Sequence, residues 1–281
     1  MRKEDKHVAI DKGVLNDLAV KVLALRSKPL DKRRKRNAHK GLQDLIDPTV
    51  VSEIENEPSP EAQARRLRAE ISLILTGAHS DKVKSDIATW IVSNWGSVTQ
   101  GTDKIPGWIA EVGDFDPARI NEFKARRVHR WMSSWTKIIS FVDHRKYPIY
   151  DTNNAVALNV LMEPLSTANF FYMPVGRANY VRHAKAKLLK KHKAGPREHA
   201  DLGGYQDYEY LMGRIVEVGK LDDVLEAEQL LFTRSVGVAR SYFTPDELVT
   251  VEASIAEEKR IAKLKKEAKD KEKEAAKVGR A

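Results

Sequence analysis

Residues 116–161 read DPARINEFKARRVHRWMSSWTKIISFVDHRKYPIYDTNNAVALNVL, and the rest of the chain is organised around them. Two segments with apolar residues at helical spacing are separated by a very short polar stretch, Met132–Trp135. A second turn, residues 144–150, leads to a single aspartate, Asp151, at the start of a third apolar segment. The pattern predicts two helices joined by a tight hairpin, then a turn and a third helix.

The same helical periodicity recurs outside this stretch, and alternation of the kind seen in strands is nearly absent. Three dipeptides have the residue types of a helix start, a capping residue followed by proline: Ser59-Pro60, Asp116-Pro117 and Thr244-Pro245. We therefore predict an all-α fold.

Three parts of the chain are expected. Residues 1–58 hold an N-terminal helix and a basic segment, residues 59–244 form the helical core, and residues 245–281 form a charged C-terminal helix or tail. Residues 52–60, SEIENEPSP, have the composition of a linker. From Glu257 onward the tail lacks an apolar stripe wide enough to join a core.

Composition limits the partners, the chemistry and the cofactors that the protein can use. The formal net charge is +9, which favours an anionic partner, most simply nucleic acid. The chain has no cysteine, which excludes disulfides, thiol catalysis and thiolate zinc sites and fits the cytoplasm. No apolar run is long enough to cross a bilayer, so no membrane partner is expected. We expect a monomer that uses no cofactor and no metal, since the eight histidines lack paired ligand spacing.

The hairpin has two interpretations. Backbone N–H groups at the start of its second helix, together with nearby polar and basic side chains, would suit a phosphate. The candidate DNA-binding residues are Ser133, Ser134, Trp135, Thr136, Arg127, Arg130 and Asn153. In the simpler interpretation the hairpin is structural and Ser134 caps the second helix. The basic segments 32–36 and 177–197 are likewise either solvated surfaces or contacts to the DNA backbone.

Asp151 also has two interpretations, which are compatible. Aspartate before Thr-Asn-Asn and an apolar run is an ordinary helix cap. A carboxylate fixed in that way can also face an electron-poor sugar carbon.

Two segments resemble the helix-hairpin-helix DNA glycosylase superfamily: WMSSWTK at residues 131–137 and YPIYDTN at residues 147–153. In that family a hairpin of the form Leu-Pro-Gly-Val-Gly-x-Lys precedes a Pro-Val-Asp-Thr-like segment. Lys137 falls on the family's lysine and Asp151 on its essential aspartate. Ser133 and Trp135 stand where the family has hairpin glycines, and the resemblance covers about residues 116–161.

The resemblance implies an enzyme that flips a damaged or modified base out of the duplex and cleaves its N-glycosidic bond. Asp151 would stabilise positive charge on the sugar. Lys137 would either attack the sugar carbon, as in a combined glycosylase and lyase, or contact the phosphate backbone. Trp131, Tyr147 and Tyr150 are candidates to wedge into the duplex or to stack on the flipped base.

The base that is removed stays open. The chain has neither hairpin glycines nor cysteines for an iron–sulfur cluster, and in this it resembles bacterial proteins that excise hypermodified bases from phage DNA. Glucosylated hydroxymethylcytosine is one such base. The rival interpretation is a helix-hairpin-helix protein that binds DNA without catalysis.

Overall fold

The computed structural model describes residues 9–30, 39–98, 101–127, 131–165, 170–174, 179–192 and 202–278. Within these ranges the chain forms thirteen α-helices and no β-strand, which confirms the all-α prediction. The helices are α1 (Lys12–Ala24), α2 (Pro48–Glu55), α3 (Pro60–Thr76), α4 (Asp81–Trp90), α5 (Ile105–Val112), α6 (Pro117–Arg127), α7 (Met132–Val142), α8 (Thr152–Met162), α9 (Asn179–Lys191), α10 (Leu202–Gly219), α11 (Val224–Phe232), α12 (Ser235–Ser241) and α13 (Pro245–Val278). A π-helical turn, Ile91–Trp95, extends α4.

Local capping chemistry explains where several helices begin. The Ser59 hydroxyl accepts from the Ala62 N–H at 3.1 Å. Before α13 the capping box is reciprocal, because the Glu247 carboxylate accepts from the Thr244 N–H at 2.8 Å and the Thr244 hydroxyl accepts from the Glu247 N–H at 3.3 Å. These starts were predicted, because capping depends on residues close together in sequence.

The prediction of a linker at residues 52–60 is wrong for residues 52–55. Residues 52–55 belong to α2, whose cap is Asp47 and whose first residue is Pro48. Val51 and Ile54 of this helix are buried, which stabilises it despite its acidic surface. The Asp47-Pro48 pair repeats the capping signature seen elsewhere in the chain and is the signal that the linker interpretation overlooked.

One hydrophobic cluster runs from Ile10 to Ile255 and joins helices from both ends of the chain. Helix α1 packs against α8, α10 and α11, so the N-terminal part of the chain contributes to the same core as residues 59–244. Helix α7 packs against α3 and the π-helical turn, and α8 packs against α1, α9, α11 and α12. Helices α7 and α8 therefore lie at the centre of the protein.

Helix α13 packs against the core only in its first part. Val251 and Ile255 are buried, whereas Ile261 and Leu264 are exposed. Ion pairs fasten its first half to the rest of the protein, among them Lys187–Glu247 at 2.7 Å and Arg240–Glu252 at 2.9 Å. The loss of buried apolar residues after Glu257 agrees with the predicted charged helical tail.

Candidate functional site

The prediction of a hairpin turn at residues 132–135 is wrong. Residues 132–135 form the first turn of α7, and the residue that precedes them, Trp131, has a left-handed backbone with φ of 61°. Ser134 does not cap the helix, because the capping position belongs to Trp131, whose side chain makes no capping hydrogen bond. The sequence Met132-Ser133-Ser134-Trp135 resembles a turn, but three of these four side chains are buried in α7, and their burial favours the helix.

Most of the hairpin side chains that were expected to contact DNA are inside the protein. Ser134, Trp135 and Thr136 are buried, and Ser133 is half-buried. Trp135 packs edge-to-face against Phe123 and Tyr205. These buried side chains are part of the core, and the backbone N–H groups of Ser134 and Trp135 donate to the Trp131 carbonyl at 2.8 and 3.1 Å. Neither these side chains nor those two N–H groups are placed to bind a phosphate.

Thr136 joins the hairpin helix to the segment that carries Asp151. Its hydroxyl donates to the Met132 carbonyl at 2.7 Å and accepts from the Tyr150 N–H at 3.2 Å. The backbone before Asp151 is fixed from other directions too: the hydroxyls of Tyr205 and Tyr208 donate to the carbonyls of Pro148 and Ile149 at 2.9 and 3.0 Å. This segment is extended but firmly held.

Asp151 caps α8, as predicted. One carboxylate oxygen accepts from the Asn154 N–H at 2.9 Å, and the side chain is half-buried. The next residue, Thr152, donates its hydroxyl to the Pro174 carbonyl at 3.0 Å. The carboxylate therefore has a fixed position at the positive end of a helix.

Lys137 directly follows Thr136 in α7 and is buried, with 6% of its surface exposed. Its amine donates to the Ser133 carbonyl and, at 3.1 Å, to the Ser133 hydroxyl. Burial lowers the pKa of this amine, and the negative charges of Asp151 and Glu228 oppose that shift. Lys137 is thus within electrostatic reach of Asp151, and its free-amine form is favoured relative to an exposed lysine.

Gly96 makes room for the lysine. A β-carbon at this position would lie 2.7 Å from Cδ of Lys137 and 2.8 Å from the Val92 carbonyl oxygen. The glycine directly follows the π-helical turn, a kind of irregularity that is frequent at functional sites.

Two buried charged residues, Glu228 and Arg68, were missed in the sequence. Glu228 of α11 accepts from the Ile149 N–H at 2.9 Å, and burial raises its pKa to about 7. The guanidinium of Arg68 in α3 lies over the rings of Phe141 and Trp95 at 4.9 and 5.3 Å. Burial lowers the Arg68 pKa, and the charge of Glu228 opposes this most strongly. Each residue interrupts an apolar helical stripe, which is the sequence signal that could have found them.

The three aromatic residues predicted to wedge into the duplex or stack on a base differ in solvent exposure. Tyr147 and Tyr150 are buried, and the Tyr150 hydroxyl donates to the Tyr172 carbonyl at 2.5 Å. Neither is placed to stack on a base in this conformation. Trp131 has 40% of its surface exposed, and its ring lies so close to Gly101 that a β-carbon there would meet it at 2.7 Å. Among these three aromatic candidates, Trp131 is therefore the one exposed to solvent.

The other residues predicted to bind DNA are Asn153, two arginines and the two basic segments. Asn153 is half-buried in the first turn of α8. Arg127 ends α6, but its side chain lies outside the described residues, as do Arg130 and the basic segment 32–36. Residues 179–191 of the second basic segment form α9, which buries Val181, Ala184 and Leu188 and turns its other sides outward.

A polar cleft of about 520 Å³ lies between α6, α10 and the turn before Tyr147. The residues that line it are Asn121, Lys124, Lys146, Gln206 and Glu209. Lys124 is buried there and contacts both oxygens of Glu209, at 2.6 and 2.9 Å. Neither Asp151 nor Lys137 is among its lining residues.

Protein-family models, curated proteins and solved structures give no match to this chain. Across the described ranges, no helix is long and apolar enough to span a membrane, and no three His, Asp or Glu side chains are grouped so that they could hold a metal ion.

Proposed function

We propose that the protein is a DNA glycosylase in which Asp151 is the fixed carboxylate and Lys137 the reactive amine. The observation that carries the proposal is the hydrogen bond from the Tyr150 N–H to Thr136. It ties the residue before the capping carboxylate to the residue before a buried lysine whose pKa is lowered. An anion and an amine that are fixed relative to each other are what cleavage of an N-glycosidic bond at a flipped nucleotide needs.

In the proposed reaction the target base leaves the stack, and the bond between it and the sugar breaks as positive charge builds on the anomeric carbon. Asp151 stabilises that charge. The neutral amine of Lys137 forms a bond to the anomeric carbon as the bond to the base breaks, and the proton that the amine then loses is taken up by the departing base. To reach the sugar the amine must leave its hydrogen bonds to Ser133.

The surface supports a DNA partner through charge and one exposed ring. The chain has a formal net charge of +9. Trp131 stands partly exposed at the hairpin, where an aromatic side chain can wedge into a duplex and favour extrusion of a base. Within this proposal the substrate is a modified base, and a hypermodified cytosine of phage DNA is the substrate to test first.

One observation favours the rival function, a helix-hairpin-helix protein that binds DNA without catalysis. The cleft beside the hairpin is not lined by Asp151 or Lys137, and the amine of Lys137 is engaged with Ser133. In that case Asp151 is only the cap of α8, and Lys137 stabilises the first turn of α7.

An excision assay separates the two functions. Duplexes that carry normal, damaged or glucosylated hydroxymethylcytosine bases are incubated with the protein and then treated with hot alkali, which cuts abasic sites. We expect strand breaks at one class of modified base with the wild type, and none with Asp151→Asn. Binding of these duplexes without breaks, and with affinity that falls steeply as salt rises, would favour the non-catalytic function.

A further inference from the structure

The polar cleft between α6, α10 and the turn before Tyr147 has no part in the proposed reaction. Its volume of about 520 Å³ lies within the range of about 300–1,000 Å³ that is usual for small-molecule sites. Every side chain that lines it is polar or charged. A cleft of this composition favours a ligand that forms hydrogen bonds and ion pairs over an apolar one.

One positive charge in this cleft is uncompensated. Lys124 is buried, and its ammonium contacts both carboxylate oxygens of Glu209 at 2.6 and 2.9 Å, so these two charges balance each other. Lys146 is exposed and forms no ion pair with the residues that the structure describes, and its ammonium lies 5.0 Å from the centre of the Tyr147 ring. Lys146 can therefore bind an anionic group of a ligand.

The two helices line the cleft in the same way, each with one carboxamide and one charged side chain. Asn121 lies three residues before Lys124 in α6, and this spacing places both on one face of the helix. Gln206 and Glu209 have the same spacing in α10. Asparagine and glutamine form paired hydrogen bonds with adenine, and glutamate accepts from the exocyclic amine of cytosine. This set of groups suits a base with an exocyclic amine.

We propose that the cleft binds a nucleotide whose base is cytosine or adenine, with the two carboxamides and Glu209 on the base and Lys146 on the phosphate. Neither Asp151 nor Lys137 lines the cleft, so the nucleotide bound here is not the one whose base is removed. The site goes beyond the proposed function and is present whether or not the protein excises a base. The nucleotide comes from a DNA strand or is free, since both sources present the same base and phosphate.

Titration of the full chain with deoxynucleoside monophosphates tests the site. The side-chain amide signals of Asn121 and Gln206 are followed by NMR in nitrogen-15-labelled protein and are assigned by their loss in Asn121→Met and Gln206→Met. We expect dCMP and dAMP to shift these signals and to bind about tenfold more tightly than dTMP, whose base has no exocyclic amine. Deoxycytidine, which lacks the phosphate, should bind about tenfold more weakly than dCMP.

Lys146→Met and Arg145→Met form a matched pair of variants. The two side chains are exposed neighbours, but only Lys146 lines the cleft. Lys146→Met should weaken dCMP binding about tenfold, because the phosphate loses its cation, whereas Arg145→Met should leave it nearly unchanged. Equal effects of the two variants would overturn the assignment, since the net charge of the protein would then explain the binding.

Other ligands give the remaining outcomes. Inorganic phosphate that binds as tightly as dCMP, or methyl glucoside that shifts the same amides more strongly, would overturn the proposal, and so would amide signals that do not respond to millimolar dCMP. The trinucleotide dT-dC-dT distinguishes the two sources: tighter binding than dCMP assigns the site to a DNA strand, and weaker binding assigns it to free nucleotides. Asp151→Asn should bind dCMP as the wild type does, so failure of this site and failure of the glycosylase proposal are observed separately.

Discussion

The side-chain hydroxyl of Thr136 accepts the backbone N–H of Tyr150 at 3.2 Å, inside the protein. This bond connects α7 to the segment before Asp151. Thr136 therefore acts on the site through the fold, and a role of its hydroxyl in direct contact with phosphate does not agree with its burial.

Thr136→Val should destabilise the protein by about 1–3 kcal/mol, because the Tyr150 N–H would lose its acceptor in a buried place. Thr136→Ser keeps the hydroxyl and is the matched control, which should stay closer to the wild type. Chemical denaturation measures the difference. Equal stability of the valine and serine variants would show that the bond is unimportant.

Asp151→Asn should keep the fold, since asparagine caps helices about as well as aspartate. We expect base excision to fall by at least about a hundredfold, the scale of losing one electrostatic stabiliser. Asp151→Ala adds the loss of the cap, about 1 kcal/mol of stability. Comparing the two variants by denaturation and by the alkali assay separates the structural role from the chemical one, and full activity in Asp151→Asn would remove the carboxylate from the mechanism.

Trp131 and Trp135 form a matched pair, four residues apart and opposite in exposure. Trp131→Ala should destabilise the protein less than Trp135→Ala, because the Trp131 ring is partly exposed, but it should weaken binding of duplex DNA. Trp135→Ala should cost about 3–5 kcal/mol, because it empties a space in the core. DNA affinity that is unaffected by Trp131→Ala would exclude this ring from the interface.

Lys137→Met removes a buried amine and keeps the length of the side chain. The pKa of Lys137 is lowered from 10.5 in the folded protein, so its contribution to stability is present above that pH and is lost as pH falls through the lower folded value. The methionine variant should therefore be more stable than wild type at pH 7, by about 1.4 kcal/mol for each tenfold weakening of proton binding by the buried amine. This gain should vanish above pH 10.5. The exposed Lys265→Met is the control and should show neither effect.

Truncation of α13 tests the limit of the core. Ending the chain after Arg260 keeps Val251, Ile255 and the contact of Glu258 with Arg182, so the melting temperature should stay close to that of the full chain. Ending it after Thr250 removes both buried residues and should lower the melting temperature by several degrees. Strong destabilisation by the truncation after Arg260 would mean that the tail packs more extensively than its exposed side chains indicate.

The sequence by itself determined the all-α class, the helix starts at Ser59, Asp116 and Thr244, and the capping role of Asp151. These features depend on residues within one helical turn of each other, so local periodicity and capping chemistry are sufficient. It misplaced the hairpin turn, because polar residues at 132–135 resemble a turn until the burial of α7 is known.

Only the tertiary structure decided which charges share the interior behind Asp151. Arg68, Lys137 and Glu228 are distant in sequence, and no local pattern indicates that α3, α7 and α11 place them together. Their pKa shifts arise from burial and from one another's charges, which exist only after the helices pack. The same packing buried Tyr147 and Tyr150 and left Trp131 exposed, since the exposure of an aromatic side chain is fixed by its neighbours in space.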